Sequence, residues 1–159
     1  MKTSFIVSSL AAALGASAQL VTFSVVDERN NNLGTLNNIH AGAGFNFYYV
    51  GVFDQVLQYN IADSGDATLT NPASDYPFNV GNFEGRFAVG PAVTPAKLEI
   101  AENALGVTSI QNWNFWACYD THDTYNYSAS NRNILLTEKD NMTPPGSNCL
   151  PVNINVLNV

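Results

Sequence analysis

Positive charge is scarce in this chain, and imidazole and thiol are scarcer still. Six Lys and Arg stand against thirteen Asp and Glu in 159 residues, a formal net charge of −7. An acidic surface of this kind repels phosphate backbones and anionic headgroups, which argues against nucleic-acid and membrane-surface partners. The two histidines, His40 and His122, and the two cysteines, Cys118 and Cys149, are too few for a Cys/His metal site, so neither a metal nor another cofactor is expected. No G-x-S-x-G elbow is present, and Gly42-Ala43-Gly44 is a lone G-x-G without a third glycine or a following helical pattern. Serine-hydrolase and dinucleotide-binding chemistry therefore gain nothing. Thirteen carboxylates permit a glycosidase pair on paper, but nothing in the pattern selects two of them.

Long apolar runs are also missing, apart from one short stretch at the start. Lys2 precedes a run from Phe5 to Leu14 that is apolar except at Ser8 and Ser9, and Ala16 and Ala18 then stand in an A-x-A arrangement. This is the pattern of a secretory leader over residues 1–18, cut between Ala18 and Gln19. No other stretch approaches the roughly 20 apolar residues of a membrane span. Removing the leader leaves 141 residues with a net charge of −8, a size that suits a single secreted domain over residues 19–159.

In a secretory compartment the cysteine pair is expected to form a disulfide, Cys118 to Cys149. Closing that loop should stabilise the fold by about 3 kcal/mol on the chain-entropy model. Two N-glycosylation sequons lie between the cysteines, Asn126-Tyr127-Ser128 and Asn141-Met142-Thr143, and Pro144 directly after the second should lower its use.

A helical stripe is absent; the apolar period is two. Val152, Ile154 and Val156 alternate with Asn153 and Asn155, and Trp113, Phe115, Ala117 and Tyr119 alternate with Asn114, Trp116 and Cys118. The same reading makes strands of Val21–Val26, Phe45–Val50, Leu57–Ile61, Phe83–Val89 and Ile134–Thr137. Turn formers separate them at Asn30–Gly34, Asp63–Asp66, Asn71-Pro72 and Pro144–Gly146. Asn71–Pro95, with four of the seven prolines, reads as irregular linking structure. The expectation is an all-β, single-domain antiparallel sandwich or barrel, with a β-trefoil as the alternative.

Three groups could carry function. Asp120-Thr121-His122-Asp123 places carboxylates beside an imidazole, as a metal site or general base would, although consecutive residues in a polar loop are more often solvated. His40, before Ala41-Gly42-Ala43-Gly44, reads as structural. Trp116, Tyr125 and Tyr127 could stack on sugar rings, the alternative being that Trp116 covers the disulfide.

Phe115-Trp116-Ala117-Cys118, Tyr125-Asn126-Tyr127 and Asn148-Cys149-Leu150-Pro151-Val152 together resemble the cysteine-containing C-terminal domain of the Pir cell-wall mannoproteins of yeasts. Ile39-His40-Ala41-Gly42 looks like the Ile-His-Ser-Gly stretch of PhiA-type fungal cell-wall proteins. The resemblance implies a secreted, non-enzymatic structural glycoprotein of the fungal cell wall or surface. The implied partner is wall polysaccharide: β-glucan, mannan or chitin. It brings no catalytic residues, and the four cysteines and the glutamine-containing wall-linking repeat of Pir proteins are not reproduced here. The rival functions are a lectin-like module using Trp116, Tyr125 and Tyr127, and a small secreted hydrolase or effector using His122 and its neighbouring carboxylates.

Overall fold

A computed structural model of the chain describes residues 19–51, 56–70, 78–102 and 106–159; the expected leader lies outside them. Alternating apolar side chains become strands throughout. These are β1 (Gln19–Asp27), β2 (Asn32–Gly42), β3 (Phe45–Val50), β4 (Tyr59–Ile61), β5 (Ala67–Leu69), β6 (Phe78–Phe83), β7 (Arg86–Gly90), β8 (Ile100–Glu102), β9 (Thr108–Ile110), β10 (Trp113–Cys118), β11 (Asn133–Glu138) and β12 (Cys149–Asn158). One 3₁₀ turn, Tyr127–Ala129, is the sole helical element among the described residues, and no helix there is long and apolar enough to cross a membrane.

The strands form one antiparallel sheet that closes on itself. β1 pairs with β12 along one edge, while its other edge is shared between β4, at Gln19–Val21, and β2, at Ser24–Val26. From β2 the ladder runs through β3, β11, β10 and β12 back to β1, and a second path runs through β4, β5, β6 and β7 to β3 and β11. Closure removes most of the open edge that a sheet of this length would otherwise present. This is the expected barrel or sandwich type of architecture, and its pairings recur with a period of four strands, as in the β-trefoil alternative. The recurring sets are the hairpins β2–β3, β6–β7 and β10–β11, the mutual pairing of β3, β7 and β11, and the ring pairings β4–β5, β8–β9 and β12–β1 beside β1–β4, β9–β12 and the Asp66↔Lys97 bridge.

The two paths meet where β3, β7 and β11 pair with one another, at Tyr49↔Asn133, Phe47↔Ala88 and Leu135↔Arg86. Three strands that are each antiparallel to the other two cannot run in one regular ladder, so the sheet branches. Asn133, fully buried, fills the gap: its Nδ2 donates to the Tyr48 carbonyl at 2.8 Å.

The main core lies inside the closed sheet, with Phe23, Val25, Tyr48, Tyr59, Phe87, Phe115, Ile134 and Ile154 at its centre. Burial first, and then the neighbouring Tyr59, push the Tyr48 phenol well above its ordinary pKa, so both rings stay neutral there. A smaller cluster of Ile39, Ala41, Phe47, Tyr49, Ala88 and Val93 lies apart from it, with Phe45 and Phe83 packed against it. Thus β3 is buried on both faces, contrary to the half-wet strand its alternation suggests: Tyr48 enters the main core and its neighbour Tyr49 the smaller one.

Two expectations are corrected. Phe83–Val89 is a hairpin, not one strand, because Glu84 and Gly85 take left-handed φ of 52° and 77° and form the two-residue loop between Phe83 and Arg86. The segment expected to be irregular from Asn71 to Pro95 is β6 and β7 over most of its described length, and its residues 71–77 lie outside the described part. The segment after β7 crosses over Gly81, where an added Cβ would lie 2.3 Å from the Thr94 carbonyl oxygen. Only glycine admits that crossing.

Candidate functional site

Most of the candidate residues fall in the connection between β10 and β11, residues 119–132, which rests against the three-strand junction. Cys118 and Cys149 are direct cross-strand partners on β10 and β12, their Cα atoms 4.1 Å apart, and they form the expected disulfide. Beyond Cys118 the chain turns sharply: Asp120, His122 and Asn126 all adopt left-handed φ, 51°, 54° and 57°. Asn, Asp and His tolerate that conformation better than other non-glycine residues, which is why this polar stretch can wind so tightly.

Asp123 holds the winding together. Its Oδ1 accepts the backbone N–H of Tyr125 at 3.2 Å and of Tyr127 at 2.9 Å, and its Oδ2 accepts the Ser128 N–H at 2.8 Å and the Ser128 hydroxyl at 2.6 Å. The Ser128 oxygen in turn accepts the Thr121 N–H at 2.9 Å. Burial alone would push the Asp123 carboxyl up, but the Ser128 hydroxyl and the three backbone donors outweigh it and hold the group below the ordinary carboxylate value. Beneath it, burial and then the Asp123 charge raise the Tyr49 phenol, against the opposing pull of Arg86. Arg86 ties the loop to the sheet: its Nη2 donates to the Thr121 carbonyl at 2.7 Å, and its guanidinium lies 5.0 Å from the centre of the Phe47 ring.

The Asp120–His122–Asp123 group is not assembled as a catalytic cluster. Asp123 turns inward, Asp120 accepts Asn148 Nδ2 at 3.1 Å, and the exposed His122 ring hydrogen-bonds to neither carboxylate. Among the described residues no three His, Cys, Asp or Glu side chains are placed to hold a metal ion. His122 instead borders an open hollow of about 310 Å³ beside the disulfide, with Leu135, Pro145 and Asn148.

The three aromatic candidates part company. Trp116 is 4% exposed, and its Nε1 donates to Thr137 Oγ1 at 2.9 Å. It points to the same side of β10 as Cys118 and is paired with Leu135 and Pro151 across the sheet. The turn after β11 is drawn over this side, as Asn114 Nδ2 donates to the carbonyls of Glu138, Lys139 and Asn141. Trp116 therefore presents no free ring face. Tyr125 and Tyr127 do, at 52% and 40% exposure, with centroids 5.9 Å apart. Exposed His40 stands 6.1 Å from Tyr125, and buried Tyr49 meets Tyr127 edge-on at 6.3 Å.

No protein-family model, curated protein or solved structure matches the chain. Its site is read from its own chemistry. Sequence reasoning missed Tyr49, Arg86 and Asn133, each of which works through partners distant along the chain; Ser128 was visible only as the third residue of a sequon. Asn126 is exposed, and Asn141 is exposed with its Oδ1 accepting the Thr143 N–H at 3.0 Å.

Proposed function

We propose that the chain is a secreted, non-enzymatic structural glycoprotein of the fungal cell wall or surface, as its resemblance to Pir and PhiA-type proteins implies. The observation that carries this reading is how the polar side chains of the β10–β11 connection are used. Between the two disulfide-bonded cysteines the buried Asp123 carboxylate and the Ser128 hydroxyl are both engaged in holding the loop, an arrangement suited to a durable display surface. Fractionating the producing cells into medium, detergent-extractable wall and alkali-extractable wall tests it. Recovery in the cytosol would sink the proposal.

The second reading is a glycan-binding module, favoured by the exposed Tyr125–Tyr127 pair alone of the three aromatic candidates. Phenol rings fixed side by side offer apolar faces to a pyranose and hydroxyls to its rim. In that case β-glucan, mannan or chitin should retain the protein, and Tyr125→Ala with Tyr127→Ala should abolish retention without lowering Tm. Equal retention of the double variant would rule this surface out.

A further inference from the structure

The two sequons meet opposite fates in the folded chain. A sequon is read through two groups, the Asn carboxamide and the hydroxyl two residues on. At the second sequon both are exposed, and the Asn141 carboxamide is held only through its oxygen, which accepts the Thr143 N–H. At the first, Asn126 is exposed but Ser128 is fully buried. Its hydroxyl donates to Asp123 Oδ2 and accepts the Thr121 N–H, so the group a transferase must engage is already used on both sides. Asn126 itself is fixed in a left-handed conformation (φ 57°, ψ 27°) ahead of a 3₁₀ turn, far from an extended acceptor strand. The loop is locked at its ends as well, by the Cys118–Cys149 bond and by Arg86 on the Thr121 carbonyl.

We infer that Asn126 is an N-glycosylation site of the unfolded chain only: the sugar must be transferred before Asp123 closes on Ser128, and folding withdraws the site. The inference rests on the reading of the chain as an exported glycoprotein. In the transfer, Asn126 Nδ2 forms a bond to the anomeric carbon of a lipid-pyrophosphate-linked oligosaccharide, the bond from that carbon to the pyrophosphate oxygen breaks, the lipid pyrophosphate leaves, and the amide nitrogen gives up one proton to a base of the transferase. The product carries its glycan between two exposed tyrosine rings, so the same residue decides whether that aromatic pair is free or occupied.

Transfer assays with solubilised oligosaccharyl transferase and lipid-linked oligosaccharide test the order. The acceptor is the full chain carrying Asn141→Gln, exported unglycosylated from a bacterial host, in two forms: folded and oxidised, or reduced, alkylated and diluted from denaturant. Peptide mass spectrometry should find Asn126 modified about tenfold or more faster in the unfolded form, because the folded form offers the sequon only in its open fraction. Asp123→Ala in the oxidised chain, which keeps the sequon and the disulfide, should raise transfer about fivefold by freeing Ser128. Equal transfer to folded and unfolded chains overturns the inference, as does no transfer to either or an unchanged rate in Asp123→Ala. Failure of the export reading would show separately, as cytosolic recovery on cell fractionation, and leaves the outcome with purified components decided on its own.

Discussion

At the scale of single residues, neighbours in sequence serve opposite purposes because each strand and turn sends them to different surroundings. Trp116 fills a buried site beside the disulfide and donates its indole N–H to Thr137, so Trp116→Ala should cost about 3–5 kcal/mol in denaturant unfolding. Trp116→Phe should recover part of that loss while leaving Thr137 without its donor. A loss under about 0.5 kcal/mol for Trp116→Ala would mark a surface residue instead. Asp123 is the second test. Replacing it by Ala strands the N–H groups of Tyr125, Tyr127 and Ser128, at a cost of about 1–3 kcal/mol if water does not reach them. Its folded pKa lies below the ordinary 3.8, so its contribution is fully present above that value and disappears as pH falls through the lower, folded value. Unfolding curves of the wild-type protein and Asp123→Asn should therefore converge toward low pH; a difference that persists unchanged down to about pH 2 would contradict the assignment.

At the scale of elements, the critical features are the places where one segment crosses or is stapled to another. The disulfide joins β10 to β12 in register, and removing it with Cys118→Ala and Cys149→Ala should cost about 2–5 kcal/mol, as in other small disulfide-bonded domains. Peptide mapping without reduction should find the pair linked. Gly81 is the corresponding point on β6, where a Cβ would collide with the Thr94 carbonyl oxygen at 2.3 Å. That contact is with backbone, which cannot swing aside as a side chain can. Gly81→Ala should therefore displace the crossing segment and destabilise by about 1–3 kcal/mol. Unchanged thermal stability in this variant would refute the close crossing.

At the scale of the whole molecule, closure couples the elements. β1 touches β2, β4 and β12, and the junction of β3, β7 and β11 ties the two paths of the sheet together, so no strand of the closed rings can leave without exposing the main core. Urea should therefore unfold the chain in one transition with fluorescence and circular dichroism coincident, and reduction should move the midpoint down without splitting it. Two separate transitions would show that the smaller cluster around Phe47 and Tyr49 opens independently of the main core. Because its pairings join residues far apart in the chain, such as Val21 with Asn158, folding should be slow, on the order of milliseconds to seconds.

Local pattern determined the strand content, most of the strand positions and the pairing of the only two cysteines, since alternation and turn chemistry act over a few residues. It could not locate burial at the junction. Asn133 reaches Tyr48 across 85 positions of the chain and Arg86 reaches Thr121 across 35, and nothing near any of them announces the partner. The same limit explains the aromatic residues: Trp116, Tyr125 and Tyr127 carry similar signals in sequence, and only the turn after β11 and the clasp of Asp123 decide that the first is covered and the other two face water. Side-chain periodicity assigns a residue to a face of its strand, whereas the cover over that face is set by segments that arrive from elsewhere.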